Sequence, residues 1–142
     1  MAYTTAGELT NRYGLSLLVS LTDRGEIATG QVDQGIVARA VDDADAEIDG
    51  YLKGRYRLPL STTPPLVAAL SRQISIWNLH TFDAPEKIEQ DYKNAIAKLK
   101  DIAKGVIVLD VAGIEPQSSG SSGVMVTDRE RPLSADSLKG WI

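Results

Sequence analysis

The chain has 142 residues, a formal net charge of -4 and a pI of about 4.9, enough sequence for one domain with a single modest core. It has no cysteine, which excludes disulfides and thiolate zinc sites, and no apolar run approaching the roughly 20 residues that span a bilayer. The acidic balance argues against a nucleic-acid-binding module, whose affinity rests on phosphate contacts, but allows a small basic patch.

The opening MAYTTAGELTNRYG has neither the basic start nor the apolar stretch of a signal peptide. Thr5 and Glu8 have the spacing of a capping box, which predicts a short helix from about Thr5 to Tyr13, stopped by Gly14. Leu15 to Leu21 is an apolar run of one or two helical turns. Asp23, Gly25 and Gly30 break the next stretch into a loop. Asp33 is a good N-cap. From there Val37, Val41, Ala44, Ile48 and Leu52 recur at steps of three and four, the apolar face of a helix. Its other face is read as Asp42, Asp43, Asp45, Glu47 and Asp49. The helix leaves through Lys53, Arg55 and Arg57, an order of charge that suits the helix dipole. Leu58 precedes Pro59 and so departs from helical backbone.

Thr63 has the position of a cap for a third helix, with Pro64 in its first turn. That helix carries a stripe of Leu66, Leu70, Ile74 and Trp77, flanked by Ala69, Ile76 and Leu79. Asp83 and Glu86 repeat the cap spacing around Pro85. Ile88, Tyr92, Ile96, Leu99 and Ile102 then form a stripe, and Glu89 and Lys93 an i,i+4 ion pair on the solvent side. Gly105 ends this helix. Val106 to Val111 is a β-branched run of strand length. From Gly113 the sequence GIEPQSSGSSG is linker-like. Val124 to Thr127 suggests a second short strand, and the polar end holds Leu138, Trp141 and Ile142. The expected fold is mainly α: a bundle of four to five helices over residues 1–112 with a small β element. A flexible C-terminal tail is expected over 113–142.

The residue pattern offers little chemistry. Asp43, Asp45 and Glu47 resemble the start of an EF-hand loop, but Ile48 stands where the turn glycine belongs and Gly54 where the bidentate glutamate belongs. They are read as a solvated or intersubunit acidic face. His80 is the lone histidine, and no G-x-S-x-G elbow accompanies it. No Walker-type or G-x-G-x-x-G loop is present. No catalytic residue, metal or cofactor is expected. Lys53, Arg55 and Arg57, interleaved with Tyr51 and Tyr56, fit either phosphate contacts or acids on a neighbouring subunit, and the second is the stronger reading. Trp141 either folds back on its own domain or anchors the tail, with Leu138, on another subunit.

AEIDGYLKGRYRLPL (Ala46 to Leu60), the PPLV that opens the next helix and IEQDYKNAIAKLKDIAKG (Ile88 to Gly105) resemble a family of small proteins from Mu-like phages and prophages, encoded with the head-morphogenesis genes. The opening YTTAGELTNRYG and the closing DSLKGWI are similar as well. The resemblance implies a virion structural protein with no catalytic residues, similar to helical head–tail connector (head-completion) subunits that form a ring beneath the portal. Its implied partners are further copies of itself, portal and tail-completion proteins and, in passing, phage DNA, with no membrane contact. Its implied place is the virion, and the bacterial host cytoplasm during assembly. The alternatives are a DNA-contacting packaging or regulatory protein using Lys53, Arg55 and Arg57, and a small enzyme around His80.

Overall fold

A computed structural model of the chain describes residues 2–111. Five helices follow one another: α1 (Ala6–Tyr13), α2 (Leu15–Thr22), α3 (Gln34–Leu52), α4 (Pro65–Leu79) and α5 (Glu86–Lys104). The fold is mainly α, as the sequence predicts. The expected strand over Val124 to Thr127, the linker, Leu138 and Trp141 lie outside the described residues.

The helices begin where local chemistry lets them. Thr5 accepts the Glu8 N–H and caps α1, while the Glu8 carboxylate takes the Thr4 hydroxyl at 2.7 Å instead of completing a capping box. Asp33 caps α3 by accepting the N–H groups of Gly35 and Ile36. The predicted caps of α4 and α5 are displaced. Pro64 precedes another proline and is forced to extended backbone (ψ 149), so α4 starts at Pro65 and Thr63 makes no capping bond. Pro85 is extended too, so α5 starts at Glu86 and Asp83 falls two residues short of the cap position.

Helices α3, α4 and α5 form the body. Asp45 bonds to Ser71 and Ala40 to Asn78, so α3 and α4 run antiparallel. The predicted α3 stripe is buried throughout, as are Ile88, Leu99 and Ile102 of α5. On α4 the buried set is Val67, Leu70, Ser71, Ile74, Ser75, Ile76 and Leu79. Leu66 and Trp77 are only half-buried, and the Trp77 ring stacks on Tyr92 with centroids 4.8 Å apart. The two small serines occupy the inward face of α4 where a larger side chain would hold the helices apart. Helices α1 and α2 cover one end of the body, where Leu9 and Leu18 join Val37, Val41, Ile76 and Leu79 in a second core cluster. Truncating a fully buried leucine such as Leu52 to alanine would cost about 2–5 kcal/mol.

The expected strand Val106 to Val111 does not form. Its side chains do alternate, with Leu109 and Val111 buried and Val106 and Val108 exposed. Its N–H groups, however, find no partner strand among the described residues. Those of Val106 and Ile107 close the end of α5 on the Asp101 carbonyl, and that of Leu109 donates to the Tyr56 hydroxyl at 2.8 Å. The period is that of a strand, but the backbone is satisfied by a helix end and a tyrosine.

Candidate functional site

The charged face of α3 and its basic exit divide into an inner and an outer set. Asp42 and Asp43 are exposed, and Glu47 and Asp49 are half-buried. Asp45 is inside, contrary to the expectation of a solvated acid. It lies four residues after Val41 and three before Ile48, on the apolar stripe itself, so the helix turns it into the α3–α4 seam. There its two oxygens accept the Ser71 hydroxyl at 3.0 Å and the Tyr3 backbone N–H at 3.2 Å. The Tyr3 hydroxyl in turn donates to Asp49. Burial pushes the Asp45 carboxyl above the usual carboxylate range, against the opposing pull of the two donors. Burial, together with the bond to Asp49, also raises the Tyr3 phenol. The network ties the first residues of the chain to α3 and α4. The sequence reading missed Tyr3 and Ser71, although the stripe position of Asp45 could have signalled a buried carboxylate needing donors.

The basic exit divides in the same way. Lys53 and Arg57 are exposed. Arg55 is half-buried, and its guanidinium lies over Gly105 at the C-terminal end of α5, where a Cβ would approach its Cζ to 2.9 Å. That position suits the carbonyl-rich end of a helix. Tyr56 is buried and spent on Leu109, and Tyr51 is half-buried against the core, so neither is a free stacking platform for bases. Among the described residues the two ion pairs are both within α5, Lys87 with Asp91 and Lys93 with Glu89. Asp42, Asp43, Lys53 and Arg57 are therefore not neutralised by ion pairs within the described part of the subunit.

His80 stands at the C-cap of α4. Its Nδ1 lies 2.8 Å from the Ile76 carbonyl, which can only accept, so that nitrogen carries the proton. The bond makes His80 a helix-end residue. A polar cleft of about 190 Å³ lined by Arg24, Arg39, Asp43 and Asn78 opens nearby, but His80 does not line it. An apolar cleft of about 230 Å³ lies between the first residues and the outer side of α3, lined by Ala6, Val37, Ala38, Val41 and Asp42. No group of three or more potential metal ligands converges among the described residues, and no helix there is long and apolar enough to cross a membrane. Among the described residues the arrangement displays charge along α3 and just past its end.

The family model described as "Bacteriophage Mu, Gp36" matches residues 3–128. The Mu-like prophage FluMu protein gp36 of Haemophilus influenzae is 29% identical over 140 residues, covering 99% of this chain and 98% of that protein. Gene product J of Escherichia phage Mu is 29% identical over 142 residues, covering both chains completely.

Proposed function

From the membership of this chain in the bacteriophage Mu Gp36 family, we propose that it is a virion structural protein, a head–tail connector subunit that assembles as a ring between portal and tail. The observation that carries the reading is the unspent charge of α3. The helix displays acids at Asp42 and Asp43 and bases just past its end at Lys53 and Arg57, with no ion pair to any of them among the described residues. A surface acidic at one place and basic at another is suited to head-to-tail contacts between copies, which close into a ring when the rotation allows. The subunit would act by shape and charge, without catalysis or cofactor, in the virion and, during assembly, in the host cytoplasm. Its partners would be its own copies, the portal and the tail-completion protein, with phage DNA passing through the ring.

The test is co-sedimentation of the purified chain with the portal ring of the same phage. A complex of fixed stoichiometry is expected, and separate sedimentation would overturn the portal contact.

The exposure of Lys53 and Arg57 favours a second reading, direct contact with DNA phosphates. Replacing Lys53, Arg55 and Arg57 together with alanine would then abolish a binding that weakens steeply with salt.

A further inference from the structure

We propose that the two ends of the helical body are the two halves of one contact: the end bearing Ile27 and Phe82 docks on the end bearing Val106 and Val108 of a second copy. The inference rests on the ring reading above and names the surfaces that would make the ring.

The topology sets up the two ends. Helix α3 runs antiparallel to α4, and α5 returns alongside α3, with Arg55 just beyond α3 meeting Gly105 just beyond α5. The connections 23–33 and 80–85 therefore gather at one end of the body. Arg24 ties them together there, donating from its guanidinium to the Leu79 carbonyl at 2.7 Å. The segments 53–64 and 105–111 gather at the other end, tied by Tyr56 and Leu109.

Each end exposes large apolar side chains that the described part of the subunit does not cover. Phe82 is 89% and Ile27 81% exposed at the first end, and Val106 is 71% and Val108 62% exposed at the second. Loops are ordinarily polar at such tips, and these apolar groups are available to a contact surface.

The charges at the two ends are opposite. The first end carries Asp23, Glu26, Asp33 and Asp83 against Arg24. The second carries Lys53, Arg55 and Arg57 against Asp110. Helix dipoles do not cancel this. Two N-termini (α3 and α5) and two C-termini (α2 and α4) meet there, so the half-charges of the helix ends offset one another and the net of three carboxylates stands. Asp23 is also held in its charged form, its carboxyl kept below the usual range by the N–H groups of Gly30 and Thr29. Opposite charge around apolar tips steers and orients a contact between unlike surfaces, and a contact of that kind is heterologous.

The chain has no cysteine, so one thiol can be placed at each end, Phe82→Cys in one preparation and Val106→Cys in another. Both side chains are exposed, so neither change opens the core. A short bismaleimide is added to each variant and to their equal mixture, at the highest concentration the protein tolerates. The mixture is expected to give covalent dimers several-fold more abundantly than either variant alone. Placing Lys53→Glu and Arg57→Glu on the Val106→Cys chain should lower that yield, and Asp83→Lys on the Phe82→Cys chain should restore part of it. A mixed yield no greater than that of the single variants, or one insensitive to the charge reversals, overturns the proposal. Light scattering on the unsubstituted chain separates the two levels. A closed oligomer without mixed crosslinks sinks this contact and leaves the ring, whereas a monomer throughout, with the portal protein present as well as absent, sinks both.

Discussion

The Asp45 carboxylate accepts the Ser71 hydroxyl at 3.0 Å across the seam between α3 and α4, both residues being buried. The contact joins two helices through a largely buried carboxyl group, which makes their packing responsive to pH. Burial raises the folded-state pKa of Asp45, so between the unfolded and folded values the folded chain holds more protons than the unfolded one. The stability due to Asp45 is therefore fully present below the unfolded carboxylate pKa of about 3.9 and is lost as pH rises through the raised folded value. Asp23 has the opposite sign, its contribution being lost as pH falls through its depressed value. Comparing the natural chain with an Asp45→Asn variant cancels Asp23. The stability of the natural chain relative to the variant, from urea unfolding, should decline as pH rises through this window. A difference independent of pH would contradict the assignment.

Tyr56 and Leu109 offer a second check. The Tyr56 hydroxyl is the acceptor for the buried Leu109 N–H. Tyr56→Phe leaves that donor unsatisfied, at a cost of about 1–3 kcal/mol. Hydrogen exchange at the Leu109 amide should accelerate more than exchange within α3. Unchanged protection at Leu109 would mean that the bond does not hold the segment.

Ser71 and Ser75 lie one turn apart on the inner face of α4 and should respond in opposite directions. The Ser75 hydroxyl is buried with no hydrogen-bond partner among the described residues. Ser75→Ala removes an unpaid desolvation and should be neutral or stabilising by up to about 1 kcal/mol. Ser71→Ala takes a donor from the buried Asp45 and should destabilise by about 1–3 kcal/mol. Thermal melts of the two variants at neutral pH distinguish them, and a loss at Ser75 as large as that at Ser71 would contradict the reading.

Gly105 has φ 86, a conformation that costs side-chain-bearing residues about 1 kcal/mol or more, and its missing Cβ makes room for the Arg55 guanidinium. Gly105→Ala should destabilise on both counts. Adding Arg55→Ala should relieve the steric part and leave the backbone part. Full recovery in the double variant would show that backbone strain contributes nothing.

The apolar stripes of α3 and α5, the Asp33 cap and the Gly105 stop were legible because each is set by neighbours within four residues. Asp45 was misplaced because composition groups it with Asp42 and Asp43, while its position groups it with Val41 and Ile48. Its partners, Ser71 and Tyr3, lie 26 and 42 residues away, beyond any local pattern. Val106 to Val111 has the alternation of a strand, but whether an alternating segment pairs depends on what stands beside it, and here that is Tyr56. The charges of Lys53, Arg55 and Arg57 were plain in the sequence. That Arg55 is set against Gly105, while the other two make no ion pair among the described residues, depends on where α5 ends.

The most direct measurement is mass by light scattering across concentration, for the intact chain alone and with the portal protein of the same phage. The connector reading predicts a closed oligomer of fixed mass, reached as concentration rises or on addition of portal. A monomer under every condition, with no portal complex, would contradict it.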